Sequence, residues 1–595
     1  MSTSAPRRSP SILCAGLAIV LSSPASQADA PEQPSFARTF PRHAVAADHP
    51  IASAAGAAIL AKGGNAVDAA VAASFTLSVV RPFSCGIGGG GFMVIVLPAR
   101  DGKPAVTTAI NYRETCPAAV GPDLFEPLDD DAPRRAGKAV ATPGTIAGLL
   151  YALDKYGTMK RADVLAPAIH AARDGFTADE AYAKAAKDTI AKFESPDHKD
   201  WKTRFAFTWE RFLGSGKISL GDRIVLPEQA RALELIARDG IDALTNGDLG
   251  KAICAAAAKA DGLLTIGDLR NYRVSEVQPL RIDSGLLGRT LITMPPPSSG
   301  GVAMGETLGI MQRRDSTKLI AAGEWPQYTH VMIESFKHAF ADRAEWMADP
   351  AFVDVPVERL LSDEYLLERS LSMFPTQAMA PEMYGTRAAE PAGANDDGGT
   401  SHLCVADSRA GAVSCTETIN LTFGSLVAVP EFGFILNDQM DDFTTKRDQK
   451  NAFGLVQSPK NLPAPGKRPL SSMTPTIVLT NDGAVDAVVG ASGGPRIITG
   501  TTQVLLSSYL LSLDAAQSVS RPRLHHQWMP NMLEMEENYP GTWNGLAVPL
   551  WMSKLHHQQR PGPPTDHACV QFIRKTDKGW DAACDPRKGG SPAGR

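Results

Sequence analysis

The chain has 595 residues, of which 44% are hydrophobic and 21% charged, a composition typical of a globular protein long enough for several domains. Its net charge of −5 and pI near 6.2 give no indication of nucleic-acid binding. After the first thirty residues, no apolar stretch reaches the length that a membrane-spanning helix needs.

The first thirty residues have the features of an export signal. Arg7 and Arg8 precede a short apolar run, and Ala28-Asp29-Ala30 fits a small-x-small cleavage site. The paired arginines are a feature of the Tat route, but the residues after them fit that route poorly, so simple secretion is favoured. We therefore expect residues 1–30 to be a signal peptide, and the mature protein to start near Pro31 and to be periplasmic or secreted.

The cysteine count argues against a complete disulfide framework. Of the eight cysteines, Cys14 belongs to the signal, which leaves an odd number of seven. Cys569 and Cys584 flank a predicted hairpin near the C-terminus. These two could form a disulfide bond in an oxidising compartment.

A glycine-rich run joins the first predicted helices to the first long strand. Residues 50–60 and 65–79 are predicted helices, and their many alanines indicate close helix packing in the interior. The run Cys85-Gly86-Ile87-Gly88-Gly89-Gly90-Gly91-Phe92 has the composition of a phosphate loop. However, it follows a helix and opens a strand, and no Lys-Ser/Thr pair follows it. We interpret it as tight backbone packing.

Arg113 follows the strand predicted for residues 107–112. An arginine at a strand end can present a bidentate fork to a carboxylate, or it can form a surface ion pair. Further helices are predicted at 146–156 and 164–176, and residues 177–285 are expected to be largely helical.

The histidines do not form a metal-binding pattern. His330 and His338 lie on a long predicted helix over residues 328–347, but they are eight residues apart. His525-His526 and His556-His557 have no acid or cysteine at zinc-site spacing. We therefore predict core or surface roles for these histidines and no metal site.

The junction between Gly399 and Thr400 separates two kinds of sequence. Residues 375–399 are rich in Pro, Gly, Ala, Asn and Asp and are predicted to be a linker, whereas residues 404–416 read as strand, turn and strand. The Thr400 hydroxyl could attack the Gly399 carbonyl, and hydrolysis of the ester would make Thr400 a new N-terminus. Its free α-amine could then act as the base for its own hydroxyl. The alternative is an ordinary loop that leads into a strand.

Beyond Thr400, four polar clusters lie at the ends of predicted strands, three where a strand finishes and one just before a strand begins. A rigid scaffold offers ligand-binding groups at such positions. The adjacent amides of Gly493 and Gly494 would suit an oxyanion hole at a helix start. The clusters occupy residues 418–420, 437–443, 468–473 and 490–496.

With these motifs in order, the sequence resembles the γ-glutamyltranspeptidase family of N-terminal nucleophile hydrolases. Any one of the motifs is a weak signal, but together they are highly specific and extend from about residue 44 to 530. The matching segments are GGNAVDAA at 63–70, GIGGGGF at 86–92, PPPSSGG at 295–301, GTSH at 399–402, TIN at 418–420, QMDDF at 439–443, PLSSM at 469–473 and GGP at 493–495.

The resemblance implies a fold and a reaction. The precursor would cut itself before Thr400 into a large subunit of residues 31–399 and a small subunit of residues 400–595. The two would remain one heterodimeric αββα sandwich. Thr400 would attack the γ-amide of glutathione or another γ-glutamyl compound, and water, an amino acid or a dipeptide would resolve the ester. No metal or organic cofactor is implied.

The resemblance also implies a role for each site residue. Arg113 would bind the glutamyl α-carboxylate, assisted by Ser471 and Ser472. Asn420, Gln439 and Asp442 would hold the α-amino group. Thr418 would orient Thr400, and the Gly493 and Gly494 amides would stabilise the oxyanion. A zwitterionic glutamyl group needs such a cation at one end and such acceptors at the other.

Some segments depart from the family pattern. Ser401 stands where many members have a second threonine, although a hydroxyl is retained. The segment 539–567 matches poorly and contains the unusual Arg560-Pro561-Gly562-Pro563-Pro564, whereas Asp585-Pro586-Arg587 again looks family-like. Residues 444–467 are long enough to form the lid that some members carry over the site.

Three alternatives remain at this point. An acylase of the same fold would act on glutaryl-type β-lactam side chains, but glutaryl has no α-amino group for Asn420, Gln439 and Asp442 to bind. A poly-γ-glutamate-processing enzyme is a second relative. The third is a secreted binding protein for γ-glutamyl peptides that never matures, against which the intact Gly399-Thr400 junction argues.

Overall fold

Two antiparallel sheets of seven strands each lie at the centre of the structure. This computed structural model describes residues 35–100, 102–129, 131–385, 398–447, 449–560 and 567–595. The predicted signal peptide and residues 386–397 of the predicted linker lie outside the described residues. So do Pro561 to Pro564 of the unusual proline-rich segment.

The strands of the described residues are Ala37–Phe40 (β1), Ala44–Ala47 (β2), Gly90–Leu97 (β3), Val106–Asn111 (β4), Phe176–Thr177 (β5), Arg223–Ile224 (β6), Ser275–Val277 (β7), Leu280–Ser284 (β8), Arg289–Thr293 (β9), Gly398–Ala406 (β10), Ala412–Leu421 (β11), Ala428–Val429 (β12), Phe434–Ile435 (β13), Thr476–Leu479 (β14), Val485–Ser492 (β15), Leu524–His525 (β16), Glu534–Met535 (β17), Thr542–Trp543 (β18), Leu546–Ala547 (β19), Cys569–Thr576 (β20), Gly579–Cys584 (β21) and Ala593–Gly594 (β22). The first sheet has the order β1-β21-β20-β15-β14-β9-β8, and the second has the order β22-β2-β10-β11-β3-β4-β7.

The helices are Pro50–Ala61 (α1), Ala66–Val80 (α2), Thr145–Tyr156 (α3), Arg161–Asp174 (α4), Glu180–Glu194 (α5), Trp201–Arg204 (α6), Pro227–Asp239 (α7), Asp242–Thr245 (α8), Asp248–Lys259 (α9), Ile266–Asn271 (α10), Gly300–Arg313 (α11), Ser316–Ala321 (α12), Trp325–Trp346 (α13), Val357–Leu360 (α14), Asp363–Ser372 (α15), Arg496–Leu510 (α16), Ala515–Ser520 (α17) and Val548–Lys554 (α18). None of these helices combines the length and apolar character that a membrane crossing requires.

Side-chain alternation along the central strands divides the apolar residues between two cores. On β3, Phe92 and Val94 face the core between the two sheets, whereas Met93 and Ile95 face the core beneath the N-terminal helices. Helices α1, α2 and α3 pack on the second sheet, and α11, α16 and α17 pack on the first. The predicted four-layer αββα sandwich is therefore confirmed.

The alanine-rich helices pack as closely as their composition predicts. Every residue of α2 is buried, and a Cβ added to Gly56 of α1 would lie 3.1 Å from the Ala69 carbonyl oxygen. Asn65 caps α2 by accepting from the Asp68 amide at 3.0 Å, and Asp68 accepts from the Asn65 amide at 2.8 Å.

The C-terminal hairpin is present, but the two cysteines that flank it are not bonded. Cys569 begins β20 and Cys584 ends β21, and both are buried free thiols. The hairpin register pairs Cys584 with Gln571, and Cys569 pairs with Ser492 of β15 on the other side. The suggested disulfide is therefore not formed, because the register offsets the two cysteines by two residues.

The glycine-rich run is a site of tight backbone packing, as predicted. A Cβ added to Gly89 would lie 2.0 Å from the Thr418 carbonyl oxygen, and one added to Gly91 would lie 2.5 Å from that of Thr416. The run therefore holds β3 against β11, the strand that carries Thr418.

We expect Gly89→Ala to destabilise the protein by about 3 kcal/mol, because the new methyl group would overlap the backbone of β11. Gly121→Ala is the matched control, because a Cβ there would meet nothing within 4 Å. Thermal denaturation of both variants measures the difference. Equal melting temperatures would contradict the packing interpretation.

Candidate active site

Thr400 lies inside β10, opposite Thr418 of β11. The pairing register shifts between Gly399 and Thr400, so a bulge marks the predicted junction. The Thr400 Oγ1 atom is 3.0 Å from Thr418 Oγ1, and Thr418 Oγ1 donates to the Gly399 carbonyl oxygen at 2.6 Å. The strand pairing thus brings together the Thr400 hydroxyl, the Thr418 hydroxyl and the Gly399 carbonyl.

The hydrogen bonds of Thr418 fix the direction of the Thr400 proton. Thr418 has one hydroxyl proton, and it is donated to the Gly399 carbonyl. The Thr418 oxygen therefore accepts from the Asn420 amide, at 2.8 Å, and from the Thr400 hydroxyl. In this arrangement Thr418 polarises the Gly399 carbonyl while it accepts from the hydroxyl beside that carbonyl.

Asn420 takes a backbone conformation that few residues adopt. Its φ is 77°, in the left-handed region where asparagine is enriched. Its Nδ2 atom donates to the Asp438 carbonyl at 3.1 Å. These features orient a buried amide side chain beside Thr418.

Arg113 and Asp442 form a buried ion pair. The Arg113 Nη2 atom is 2.5 Å from Asp442 Oδ2, and Arg113 also donates to the carbonyls of Pro469 and Leu470. Gln439 Nε2 donates to the same Asp442 oxygen at 2.7 Å. Arg113 and Asp442, which are predicted to bind the α-carboxylate and the α-ammonium group of the substrate, thus contact each other.

The two serines are held by the turn before α11 and by a second buried arginine. The Ser471 carbonyl accepts from the Ser299 amide at 2.8 Å, and Ser471 Oγ accepts from the Met473 amide. Ser472 Oγ accepts from Arg343 Nη2 at 3.4 Å. Arg343, which lies on α13, was not singled out from the sequence.

Gly493 and Gly494 form the turn between β15 and α16. Both have positive φ, 120° and 55°, which glycine adopts without steric cost. A Cβ added to Gly494 would lie 2.9 Å from the Phe453 ring. The turn thus brings the start of α16 to the wall of the cleft.

Most of the predicted residues line one cleft with an empty volume of about 310 Å³, part of it open to solvent. Gly399 and Gly493 are the predicted residues outside this lining. The lining consists of Arg113, Thr400, Thr418, Asn420, Gln439, Asp442, Phe453, Leu455, Ser471, Ser472, Met473, Gly494, Pro495 and Ile497.

The segment predicted as a possible lid contributes to the cleft wall. Phe453 and Leu455 line the cleft, and Asn451 Nδ2 donates to Asp442 Oδ1 at 3.3 Å. The Ala452 amide donates to Asp441 Oδ2 at 3.0 Å. The apolar wall was missed from sequence because Phe453 and Leu455 carry no motif.

Burial shifts the pKa of several groups around the cleft. Burial raises the pKa of Glu114 to about 7, although the Arg113 guanidinium opposes this shift. Burial likewise lowers the pKa of Arg343 to about 10, with Asp442 opposing and Arg113 adding to the shift. In the cleft, Arg113 lies between two carboxylates, 2.5 Å from Asp442 and 3.7 Å from Glu114, whereas Arg343 contacts Ser472 from outside the lining.

In the fold, an acidic residue lies beside His557, one member of the His556-His557 pair. His557 lies beside His330 and Glu334, and one possible ligand atom from each lies within 4.8 Å of the others. Lys337 Nζ already donates to Glu334 Oε1 at 3.0 Å, so this carboxylate is compensated by an ammonium group. A dication here would add uncompensated buried charge, which does not fit a metal site.

The stacked antiparallel sheets between helical layers, with a threonine hydroxyl on a central strand, define an N-terminal nucleophile hydrolase fold. The structure of a cephalosporin acylase from Bacillus halodurans shares this fold, with a TM-score of 0.77 and 24% identity over 97% of this chain and 99% of that chain.

Sequence comparison identifies the family. The γ-glutamyltranspeptidase family profile matches residues 52–595. The glutathione hydrolase proenzyme of Pseudomonas aeruginosa is 37% identical over 93% of this chain and 94% of its own length. A γ-glutamyltranspeptidase structure from Pseudomonas nitroreducens is 33% identical, with a TM-score of 0.51 over 56% of this chain and 95% of that chain. The chain belongs to the γ-glutamyltranspeptidase family.

Proposed function

We propose that this protein is a self-processing glutathione hydrolase and γ-glutamyltransferase with Thr400 as its nucleophile. The observation that carries the proposal is the cleft in which the Thr400 hydroxyl, a guanidinium group and a carboxylate face the same space. Relatives at 37% and 38% identity, from Pseudomonas aeruginosa and Escherichia coli, are named glutathione hydrolase proenzymes.

Maturation begins with attack of Thr400 Oγ1 on the Gly399 carbonyl carbon. The hydrogen bond from Thr418 to the Gly399 oxygen stabilises the charge that develops there. The C–N bond then breaks, the proton of the Thr400 hydroxyl passes to the departing nitrogen, which becomes the new N-terminus of Thr400, and water hydrolyses the remaining ester. The products are a large subunit of residues 31–399 and a small subunit of residues 400–595, which remain together because β10 and β11 sit between β2 and β3.

Turnover uses the same hydroxyl on a γ-glutamyl amide. The freed α-amine of Thr400 takes the hydroxyl proton, and the γ-glutamyl group becomes an ester on Thr400 as the amine product leaves. Water resolves the ester to glutamate, whereas an amino acid or dipeptide resolves it to a new γ-glutamyl product. The turn amides of Gly493 and Gly494 stabilise the oxyanion in both steps.

The glutamyl group is recognised at both charged ends. Arg113, with Ser471 and Ser472, binds the α-carboxylate, and Asn420, Gln439 and Asp442 bind the α-ammonium group. The substrate therefore has to share or open the Arg113–Asp442 ion pair. A zwitterion can do this without leaving either charge unpaired, because it brings one charge for each partner.

The proposed function includes export. Residues 1–30 act as a signal peptide, and the mature enzyme works outside the cytoplasm on glutathione and other γ-glutamyl compounds. The acylase alternative has a structural neighbour at 24% identity as its support, which concerns the fold alone.

Three p-nitroanilide substrates distinguish a γ-glutamyl hydrolase from a glutaryl acylase. We expect kcat/KM for γ-glutamyl-p-nitroanilide to exceed that for glutaryl-p-nitroanilide by at least about 10²-fold, because glutaryl leaves the buried Asp442 without its ammonium partner. The third substrate, 4-aminobutyryl-p-nitroanilide, lacks the carboxylate and tests the Arg113 end separately. Release of p-nitroaniline measures all three rates.

Faster hydrolysis of the glutaryl anilide than of the γ-glutamyl anilide would contradict the proposal and favour the acylase. A chain that binds γ-glutamyl peptides but is never cut would favour the binding protein.

A further inference from the structure

Lys588 lies near the C-terminus, in sequence far from the proposed nucleophile, yet it contacts that residue directly. Its Nζ atom donates to the Thr400 carbonyl oxygen at 2.5 Å and to Ser492 Oγ at 3.1 Å. It also forms an ion pair of 2.6 Å with Asp48 Oδ2. The side chain of Lys588 is 11% exposed and that of Asp48 is fully buried.

The network around Lys588 is anchored on several strands. Asp48 follows β2 and accepts from Gln571 Nε2 of β20 at 2.6 Å and from Ser492 Oγ of β15 at 3.2 Å. Arg81 donates to the main-chain carbonyls of both Asp48 and Lys588, each at 2.9 Å. Contacts to both the main chain and the side chain of Lys588 therefore hold its ammonium group in place.

The contact from Lys588 reaches β10 at Thr400, a residue that is not paired with β2. Pairing between β10 and β2 begins at Leu403, so the contact from Lys588 reaches Thr400 ahead of that pairing. In the proposed function, the cut turns Thr400 into a chain terminus. Termini lose order unless other contacts hold them.

We propose that Lys588 is a positioning residue that holds the main chain of Thr400 during self-cleavage and turnover. This inference rests on the proposed function. Lys588 fixes the Thr400 carbonyl, and through it the directions of the Thr400 amine and hydroxyl relative to Thr418. It contacts neither the reacting oxygen nor the expected position of the glutamyl group.

The test compares Lys588→Met with the double variant Asp48→Asn/Lys588→Met. The single variant leaves Asp48 buried without its cation, which destabilises the fold whether or not Lys588 positions Thr400. The double variant removes both charges and keeps a hydrogen-bonding side chain at residue 48. Lys578→Met, on the exposed turn between β20 and β21, controls for loss of a lysine.

In the double variant, we expect a melting temperature close to that of the wild type, slower self-cleavage and a kcat for γ-glutamyl-p-nitroanilide reduced by about 10²-fold. KM is expected to stay within about threefold, because the contacts to the glutamyl group are intact. Lys588→Arg, which retains a cationic donor, is expected to recover part of kcat.

Wild-type rates of cleavage and turnover in the folded double variant would overturn the proposal, because Lys588 would then serve only to neutralise Asp48. A raised KM with unchanged kcat would also overturn it. If the wild-type protein itself is neither cut nor active, the proposed function fails together with this inference, and the wild-type control identifies that case.

Discussion

Replacement of Thr400 with alanine is expected to leave the chain in one piece and to lower turnover of γ-glutamyl-p-nitroanilide by about 10⁴-fold or more. The reason is that one hydroxyl performs both reactions. In the structure it lies 3.0 Å from Thr418 Oγ1, and Thr418 donates to the carbonyl that would be attacked. Electrophoresis measures the cut and anilide hydrolysis measures the turnover.

Thr400→Ser is the control for this prediction. Serine keeps the hydroxyl but loses the methyl group that restricts its rotamers. We therefore expect the serine variant to be cut more slowly and to retain measurable activity. An alanine variant that is cut at the same position, or that hydrolyses the anilide as the wild type does, would rule out Thr400 as the nucleophile.

Replacement of Arg113 with glutamine is expected to lower kcat/KM for γ-glutamyl-p-nitroanilide by about 10² to 10³-fold. The guanidinium group is 1% exposed and 2.5 Å from Asp442, so its loss removes the cation for the α-carboxylate and leaves an unpaired buried acid. Hydrolysis of 4-aminobutyryl-p-nitroanilide, which has no α-carboxylate, is expected to fall much less.

Arg447→Gln is the matched control for Arg113. Arg447 forms ion pairs with Asp123 and Glu126, and its side chain is 45% exposed. Exposed pairs contribute little, so the control is expected to keep its rates within about twofold. If the two substrates lose the same factor in Arg113→Gln, Arg113 supports the fold and does not recognise the carboxylate.

The layers of the fold were predicted through the resemblance to a family, and its motifs contain most of the residues that line the cleft. Capping residues such as Asn65 mark helix starts, and the unbroken apolar run from Phe92 to Val96 is typical of a strand buried on both faces. Each polar cluster lies at or next to one end of a strand, and strand ends are the positions from which side chains reach a shared cleft.

The contacts that sequence reasoning missed join residues far apart in the chain. Lys588 is 188 residues from Thr400, and Arg343 is 129 residues from Ser472. No periodicity or local motif links such pairs, because the sheet order decides which strands are neighbours. The same applies to His557, which meets His330 from 227 residues away.

The disulfide that the sequence left open between Cys569 and Cys584 is not formed, for a related reason. The flanking positions of a hairpin are visible in the sequence, but its register is not. A shift of two residues along β20 places Gln571, and not Cys569, opposite Cys584.

The most direct test of the whole account is the intact mass of the purified protein, with sequencing of any new N-terminus. We predict two polypeptides, one of which begins at Thr400, and a single uncut chain for Thr400→Ala. A wild-type protein that remains one chain, or that is cut anywhere other than between Gly399 and Thr400, would contradict the assignment of Thr400 as an N-terminal nucleophile.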